Sequence, residues 1–150
     1  MATPATYDSP AWVRALLSQR WVLPVARLIL VSAYLIAGVY KLLDFDAAAA
    51  EQAHFGLHPG PVWAAMAIVV EIGGPLCVLS RRFTWLGAGG LGVLTLVAML
   101  VAADFWNMTG TARFMALNAF FEHLGLIGGL VLVTVLNDSR DHAGSGAAIR

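Results

Sequence analysis

The sequence predicts an all-α membrane protein: a bundle of four transmembrane helices preceded by a short N-terminal interfacial helix. Three observations lead to this fold class. The chain is 59% hydrophobic and only 12% charged, whereas soluble domains carry about 25% charged residues. Its mean hydropathy is +0.77. Four apolar segments each approach the roughly 20 residues that a helix needs to cross a bilayer.

The composition also narrows the class of function. The 150 residues fit one domain. The formal net charge is zero, so no overall field attracts nucleic acid as a partner. The single cysteine, Cys77, cannot form an intramolecular disulfide. No small-residue cleavage pattern follows the long first apolar segment, which is therefore interpreted as a retained helix and not as a signal peptide.

The first element is predicted to lie before the membrane. In "SPAWVRALLSQRW", Ser9 can cap a helix and Pro10 suits its first position. Apolar side chains would then share one face, which is typical of a helix lying in the membrane interface: Trp12, Val13, Leu16 and Leu17. A frayed terminus is the alternative. Residues 1–23 are accordingly predicted to form a cytoplasmic N-terminus with an interfacial amphipathic helix.

The transmembrane domain is predicted to occupy residues 24–136. Its spans cover 24–43, 61–80, 83–103 and 118–136. The second and third are joined by a tight turn at Arg81 and Arg82. The small, polar residues 137–150 are predicted to be a disordered cytoplasmic tail.

The positions of Lys and Arg predict the orientation of the spans, because basic residues accumulate on the cytoplasmic side. With both termini inside, the outer side carries only Lys41 and Arg113. All the other basic residues lie on the inner side: Arg14, Arg20, Arg27, Arg81, Arg82, Arg140 and Arg150. The sequence therefore predicts a multi-pass protein of the cell membrane with both termini in the cytoplasm.

Polar side chains inside the spans are the candidate functional residues. A charge near the middle of a spanning helix costs about 2.5–3.5 kcal/mol, so such residues usually face the bundle interior and pair. In the first span, Arg27, Tyr34 and Lys41 recur at helical spacing and form one stripe. Asn118 and Glu122 form a similar stripe with small residues in the fourth span. Both stripes are predicted to point inward.

The depth of each residue suggests its partner. Lys41 and Glu122 lie near the outer edge and are expected to form an ion pair. Glu71 lies at the middle of the second span, level with Tyr34, whose hydroxyl is expected to donate a hydrogen bond to it. Arg27 lies roughly 9 Å from Glu71 along the helix axis, toward the cytoplasmic side. Instead of contacting Glu71, it could extend to the inner headgroups.

Two further features accompany these residues. Pro75 lies four residues after Glu71 and crowds its carbonyl, so the helix should loosen or kink there and could line a cavity. A simple packing kink beside a protonated, hydrogen-bonded Glu71 is the alternative. His123 is expected at a seam facing another helix or another subunit, unless it is a neutral, hydrogen-bonded imidazole.

Other signals favour packing over chemistry. "GAGGLG" matches G-x-G-x-x-G through Gly87, Gly89 and Gly92, but it lacks the preceding strand and the later acidic residue of a dinucleotide site. Its glycines are interpreted as helix contacts. His54 and His58 have no third ligand nearby, so no metal site is predicted. The residues show no nucleophile with its base, and the chain is not expected to be an enzyme by itself.

Several motifs in order resemble the DoxX family of small four-helix membrane proteins. They are "ARLILVSAYLIAGVYKLLDF", the loop "FGLHPGP", "EIGGPLCVLSRRF", "DFW" at 104–106, Arg113, Asn118 and Gly128-Gly129. One segment departs from the pattern. Where many members read Phe-Leu-Lys-Asn-Leu, this chain has "FFEHL", which places Glu122 at the position of a cation and His123 at that of an asparagine.

The resemblance implies a membrane subunit or accessory protein of a quinone-linked redox or redox-defence system. No cofactor is evident from the residues themselves, and a quinone is the ligand that the resemblance suggests. The expected partners are the lipid bilayer and either a redox enzyme subunit or further copies of the chain. A carrier or sensor of a small apolar metabolite, or a purely structural membrane partner, are the alternatives. An outer cluster of Lys41, Arg113, Asn118 and Glu122 is the second candidate site after Glu71.

Overall fold

The structure, a computed structural model, describes residues 9–102 and 104–147, and within these ranges it contains six helices and no strand. The helices are α1 (Ala11–Leu17), α2 (Val22–Leu43), α3 (Phe45–His54), α4 (Gly60–Ser80), α5 (Thr84–Ala102) and α6 (Gly110–Ala147). Four of them are long and apolar enough to cross a membrane: α2, α4, α5 and the Gly110–Ser139 part of α6. The predicted all-α fold with four spans is confirmed.

The outer surface of the helices is apolar, as expected for a protein solvated by lipid. Ile29 on α2 is 68% exposed and Val69 on α4 is 69% exposed. The buried core lies between the long helices: Val31, Tyr34, Val78, Ala88, Leu91, Leu130 and Val133. Because water would penalise so much exposed apolar surface, the chain is built to sit in a bilayer.

Helix α3 is an element that the sequence analysis does not predict. Its N-cap is Asp44, whose side chain accepts a hydrogen bond from the Ala47 backbone N–H at 3.1 Å. A run of alanines follows, and alanine has the highest helix propensity of any residue type. Ala48 is buried, and Gly60 at the start of α4 lies against the carbonyl of Ala49. Helix α3 therefore packs beside the first turns of α4.

Glycines set the closest approaches between helices. A Cβ on Gly87 would collide with the carbonyl oxygen of Gly74, so α4 and α5 touch backbone to backbone there. The interpretation of "GAGGLG" as a packing motif is confirmed for Gly87. Gly89 and Gly92 have no atom within 4 Å of a hypothetical Cβ. Only part of the motif therefore makes a helix contact.

Helix α6 is longer than the predicted fourth span at both ends. It begins at Gly110 and continues to Ala147, and thus includes residues 137–147 of the segment predicted to be a disordered tail. Residues 148–150 of that segment lie outside the described residues. Once a helix is held by tertiary packing, each further residue adds one hydrogen bond, so the helix can extend into a polar sequence. Gly129 packs against Leu30 of α2, whereas a Cβ on Gly125 would meet no atom of another helix within 4 Å.

Helix α4 stays continuous through Pro75, which is fully buried. Its C-cap residue, Arg81, has a left-handed backbone with φ 65°, and this conformation turns the chain into α5. Four antiparallel spans place the described beginning and end of the chain on the same side of the bundle. Whether that side is cytoplasmic stays a prediction from the basic residues.

Cysteine accessibility tests the orientation. In a Cys77→Ala background, Ser18→Cys and Ser145→Cys are expected to resist an impermeant thiol reagent in intact cells. Thr111→Cys is expected to react, because it lies at the opposite end of the bundle. Permeabilised cells provide the control in which all three positions react. Labelling of Ser145→Cys in intact cells would reverse the assignment.

Candidate functional site

A buried ion pair joins α2 to α4. Lys41 Nζ lies 2.7 Å from Glu71 Oε1 and 2.9 Å from Oε2. The side chain of Lys41 is 19% exposed and that of Glu71 is 8% exposed. The predicted pairing of Lys41 with Glu122 is therefore wrong. Depth along the helix did not decide the partner, because α4 and not α6 lies beside α2 at this level.

Gly38 explains how the two side chains meet. A Cβ on Gly38 would lie 3.0 Å from Glu71 Cβ and 2.9 Å from Ile72 Cγ1, so α2 presses closely against α4. Lys41 follows Gly38 by about one turn on the same face of α2. Its flexible four-carbon stem reaches back toward the middle of the membrane, where Glu71 is buried.

Tyr34 belongs to a different contact from the one predicted. Its hydroxyl lies 2.7 Å from Thr95 Oγ1, and the Thr95 hydroxyl also donates to the Leu91 carbonyl at 2.7 Å. The expected bond from Tyr34 to Glu71 is therefore wrong. Both groups are buried, and the contact fastens α2 to α5. Thr95 is a site residue that the sequence analysis missed; its only signal is a lone hydroxyl in an apolar span.

Arg27 is buried inside the bundle and does not extend to the headgroups. Only 3% of the residue is exposed. Its Nη1 donates to the Val78 carbonyl at 3.2 Å, and its Nη2 donates to Asn137 Oδ1 at 3.0 Å. Arg27 thus links α2, α4 and α6 at the end of the bundle that contains the described N-terminal helix.

The predicted outer cluster is not assembled. Arg113, Asn118 and Glu122 are all exposed on α6, and Asn118 Nδ2 donates to Glu122 Oε1 within that helix. Lys41 is engaged with Glu71 instead. The inward direction predicted for the Asn118–Glu122 stripe is wrong, because both residues are exposed and α2 does not cover this part of α6.

His123 is half-buried, and its Nδ1 lies 2.6 Å from the Ala119 carbonyl. Because a carbonyl only accepts, Nδ1 carries the proton in this bond. The alternative of a hydrogen-bonded imidazole is the one that the structure supports. The bond lies within α6 and brings His123 to no other candidate residue.

A cavity of about 540 Å³ adjoins the Lys41–Glu71 pair. We call it the outer cavity, because it lies at the end of the bundle that the basic residues predict to face outward. Most of its wall is apolar and comes from one face of α4 and one face of α5: Trp63, Met66, Ala67 and Val70 with Val93, Leu94, Val97 and Val101. Glu51 and Gln52 of α3 contribute polar groups, and Phe55, which follows α3, contributes an aromatic ring. Gly89 and Gly90 widen it where a side chain would otherwise stand.

The outer cavity combines the features of a site for a small amphipathic molecule. Ligand pockets of about 300–1,000 Å³ with apolar walls and few polar groups are typical of such sites. The lysine offers N–H donors and the carboxylate offers acceptor oxygens to the same point. The positive and negative charges compensate each other, so the pair suits a neutral polar headgroup better than an ion.

Comparisons with known proteins agree with the membrane fold. The model of the DoxX family matches residues 22–104, a range that includes every residue lining the outer cavity. The chain is 27% identical over 115 residues to the inner membrane protein YphA of Escherichia coli (strain K12). The matched region covers 76% of this chain and 81% of that protein. No solved structure gives a significant match.

Proposed function

Because the chain belongs to the DoxX family of membrane proteins, we propose that it binds the headgroup of a quinone, or of a similar amphipathic metabolite, in the outer cavity. We further propose that it does so as a membrane subunit or accessory protein of a quinone-linked redox system. The observation that carries this proposal is the buried Lys41–Glu71 pair beside an apolar cavity.

The chemistry of the cavity supports a quinone-like ligand. A quinone carbonyl accepts a hydrogen bond, which Lys41 Nζ can donate, and a quinol hydroxyl donates one, which a Glu71 oxygen can accept. The ring would contact Trp63 and Phe55, since aromatic faces pack favourably at offset or edge-on geometry. An apolar tail would lie along the valine and leucine side chains of α5.

A partner is part of the proposal. The chain has one cysteine, so it cannot cycle an intramolecular dithiol. An enzyme subunit beside it would supply the redox partner of the quinone, while this chain holds the headgroup. If the bound molecule proves to be an apolar metabolite without redox chemistry, the chain is instead a carrier or sensor.

Filling the cavity is the first test. We expect Gly90→Leu to remove the ligand that co-purifies in mild detergent, because a Cβ there meets only Val70 Cγ1 at 3.7 Å and the longer side chain enters the cavity. The readout is mass spectrometry of extracted small molecules. Gly92→Leu is the matched control, since Gly92 lies on the same helix, has open space and does not line the cavity. Wild-type ligand content in Gly90→Leu would contradict the site.

Changing Glu71 separates binding from proton exchange. Glu71→Gln keeps the shape and one acceptor oxygen for the headgroup but cannot exchange a proton, so ligand should remain while quinone-linked activity in membranes falls. Glu71→Leu should lose the ligand as well. Tyr34→Phe is the control for a buried polar change, because Tyr34 does not line the cavity. Full ligand retention in Glu71→Leu would remove Glu71 from the site.

A further inference from the structure

A second cleft, of about 300 Å³, lies at the opposite end of the bundle from the outer cavity. We call it the arginine cleft. It is formed by the turn between α1 and α2, the first turns of α2 and the end of α4. Arg20, Arg27 and Arg81 line it, together with Gln19 and the apolar side chains of Leu23 and Leu79. No acidic residue is among its described lining residues.

The fold holds Arg27 and the backbone of Arg81 in place. Arg27 is fixed by its bonds to the Val78 carbonyl and Asn137 Oδ1. The backbone of Arg81 is tied to α6, because Asn137 Nδ2 donates to its carbonyl at 3.4 Å. Within the part of the chain that the structure describes, neither Arg20 nor Arg81 forms an ion pair. Their guanidinium groups are therefore available to an anion.

The C-terminal end of α4 repels an anion less strongly than a helix terminus with unpaired carbonyls would. Terminal carbonyls of a helix carry partial negative charge. Here the Val78 carbonyl accepts from Arg27 and the Arg81 carbonyl accepts from Asn137. These carbonyls are thus covered by donors, and the positive charge of the arginine side chains dominates the cleft.

The cleft lies where lipid headgroups are expected. It is at the end of the α2 span, next to Trp21, which is 56% exposed, and α1, whose Trp12 is 71% exposed. Trp is enriched at this level of the bilayer. Basic pockets between spanning helices bind anionic headgroups. Arg is suited to phosphate, because its planar fork donates two parallel hydrogen bonds.

We propose that the arginine cleft binds the phosphodiester of an anionic phospholipid. Arg20 and Arg81 donate hydrogen bonds to the phosphate oxygens, and Arg27 supplies further positive charge at the cleft. The acyl chains run along the apolar side chains beside Leu23 and Leu79. This site is separate from the outer cavity, so it stands independently of the proposed quinone ligand.

Native mass spectrometry of delipidated protein tests the proposal. Phosphatidylglycerol and phosphatidylcholine with identical acyl chains are added in turn, and inorganic phosphate is added in a third arm. We expect phosphatidylglycerol to remain bound preferentially. We expect Arg81→Gln to weaken it by about tenfold, because one charge-assisted hydrogen-bonding group is lost. Arg20→Gln is expected to have a comparable effect.

Arg82→Gln is the matched control, since it removes the same charge from the adjacent residue, which does not line the cleft. Equal weakening by Arg82→Gln and Arg81→Gln would show general surface attraction and overturn the site. Equal retention of phosphatidylcholine and phosphatidylglycerol would overturn it as well. If inorganic phosphate displaced phosphatidylglycerol at equal concentration, the occupant would be a free anion and not a lipid.

Discussion

Lys41→Met is expected to lower the midpoint of thermal unfolding in detergent by roughly 10 °C. The change leaves Glu71 buried without its partner, and loss of one member of a buried ion pair costs about 3–5 kcal/mol. For a chain of this size, each kcal/mol shifts the midpoint by about 2–4 °C. Uptake of a proton by Glu71 would limit the loss of stability to the lower part of the range of about 3–5 kcal/mol. The measurement is a thermal scan of the purified protein.

A double-mutant cycle shows whether the pair itself is responsible. Glu71→Gln alone should also destabilise the protein, and the Lys41→Met/Glu71→Gln double change should recover part of the loss. The matched cycle uses Glu122→Gln, which should add to Lys41→Met without coupling, because Glu122 bonds Asn118 instead. Coupling of Lys41 to Glu122, with none to Glu71, would show that the wrong pair has been identified.

Gly87→Val is expected to destabilise the bundle by about 3 kcal/mol or more, at the upper end of overpacking effects. Its Cβ would overlap the carbonyl oxygen of Gly74 and lie 2.7 Å from Cys77 Cβ. A backbone atom cannot turn aside as a flexible side chain can, so α4 and α5 must separate. The measurements are the yield of folded protein and its unfolding midpoint.

Gly92→Val is the control for this change. It introduces the same β-branched residue into the same helix, but no atom lies within 4 Å of the new Cβ. The two variants therefore share the effect on helix propensity and differ in the contact with α4. Similar midpoints for both would contradict the close approach of α4 and α5.

The sequence predicted which elements cross the membrane and which face of α2 points inward. Arg27 and Tyr34 are buried as expected, and Lys41 is mostly covered. Hydrophobic length and helical periodicity contain that information, because each depends on a single helix. The partners of these residues depend on which helices are neighbours, and a single sequence does not specify the order of helices around a bundle.

The fourth span shows the same limit more clearly. A stripe of polar and small residues predicts a contact, yet Asn118 and Glu122 face outward. Periodicity groups residues on one face of a helix, but what covers that face is a tertiary property. Helix α3 differs because it could have been predicted from the sequence alone. The Asp44 cap and the alanine run are local signals that do not depend on neighbouring helices.

The unequal lengths of α5 and α6 affect the bilayer thickness that suits this protein. At 1.5 Å per residue, the 19 residues of α5 extend about 29 Å and the 38 residues of α6 about 57 Å. Helix α5 thus barely matches a hydrocarbon layer of about 30 Å, while α6 projects beyond it. Thicker bilayers would have to thin around α5, whereas α6 accommodates them by tilting less. The shortest span, and not the longest, therefore fixes the bilayer thickness at which this protein fits without elastic cost.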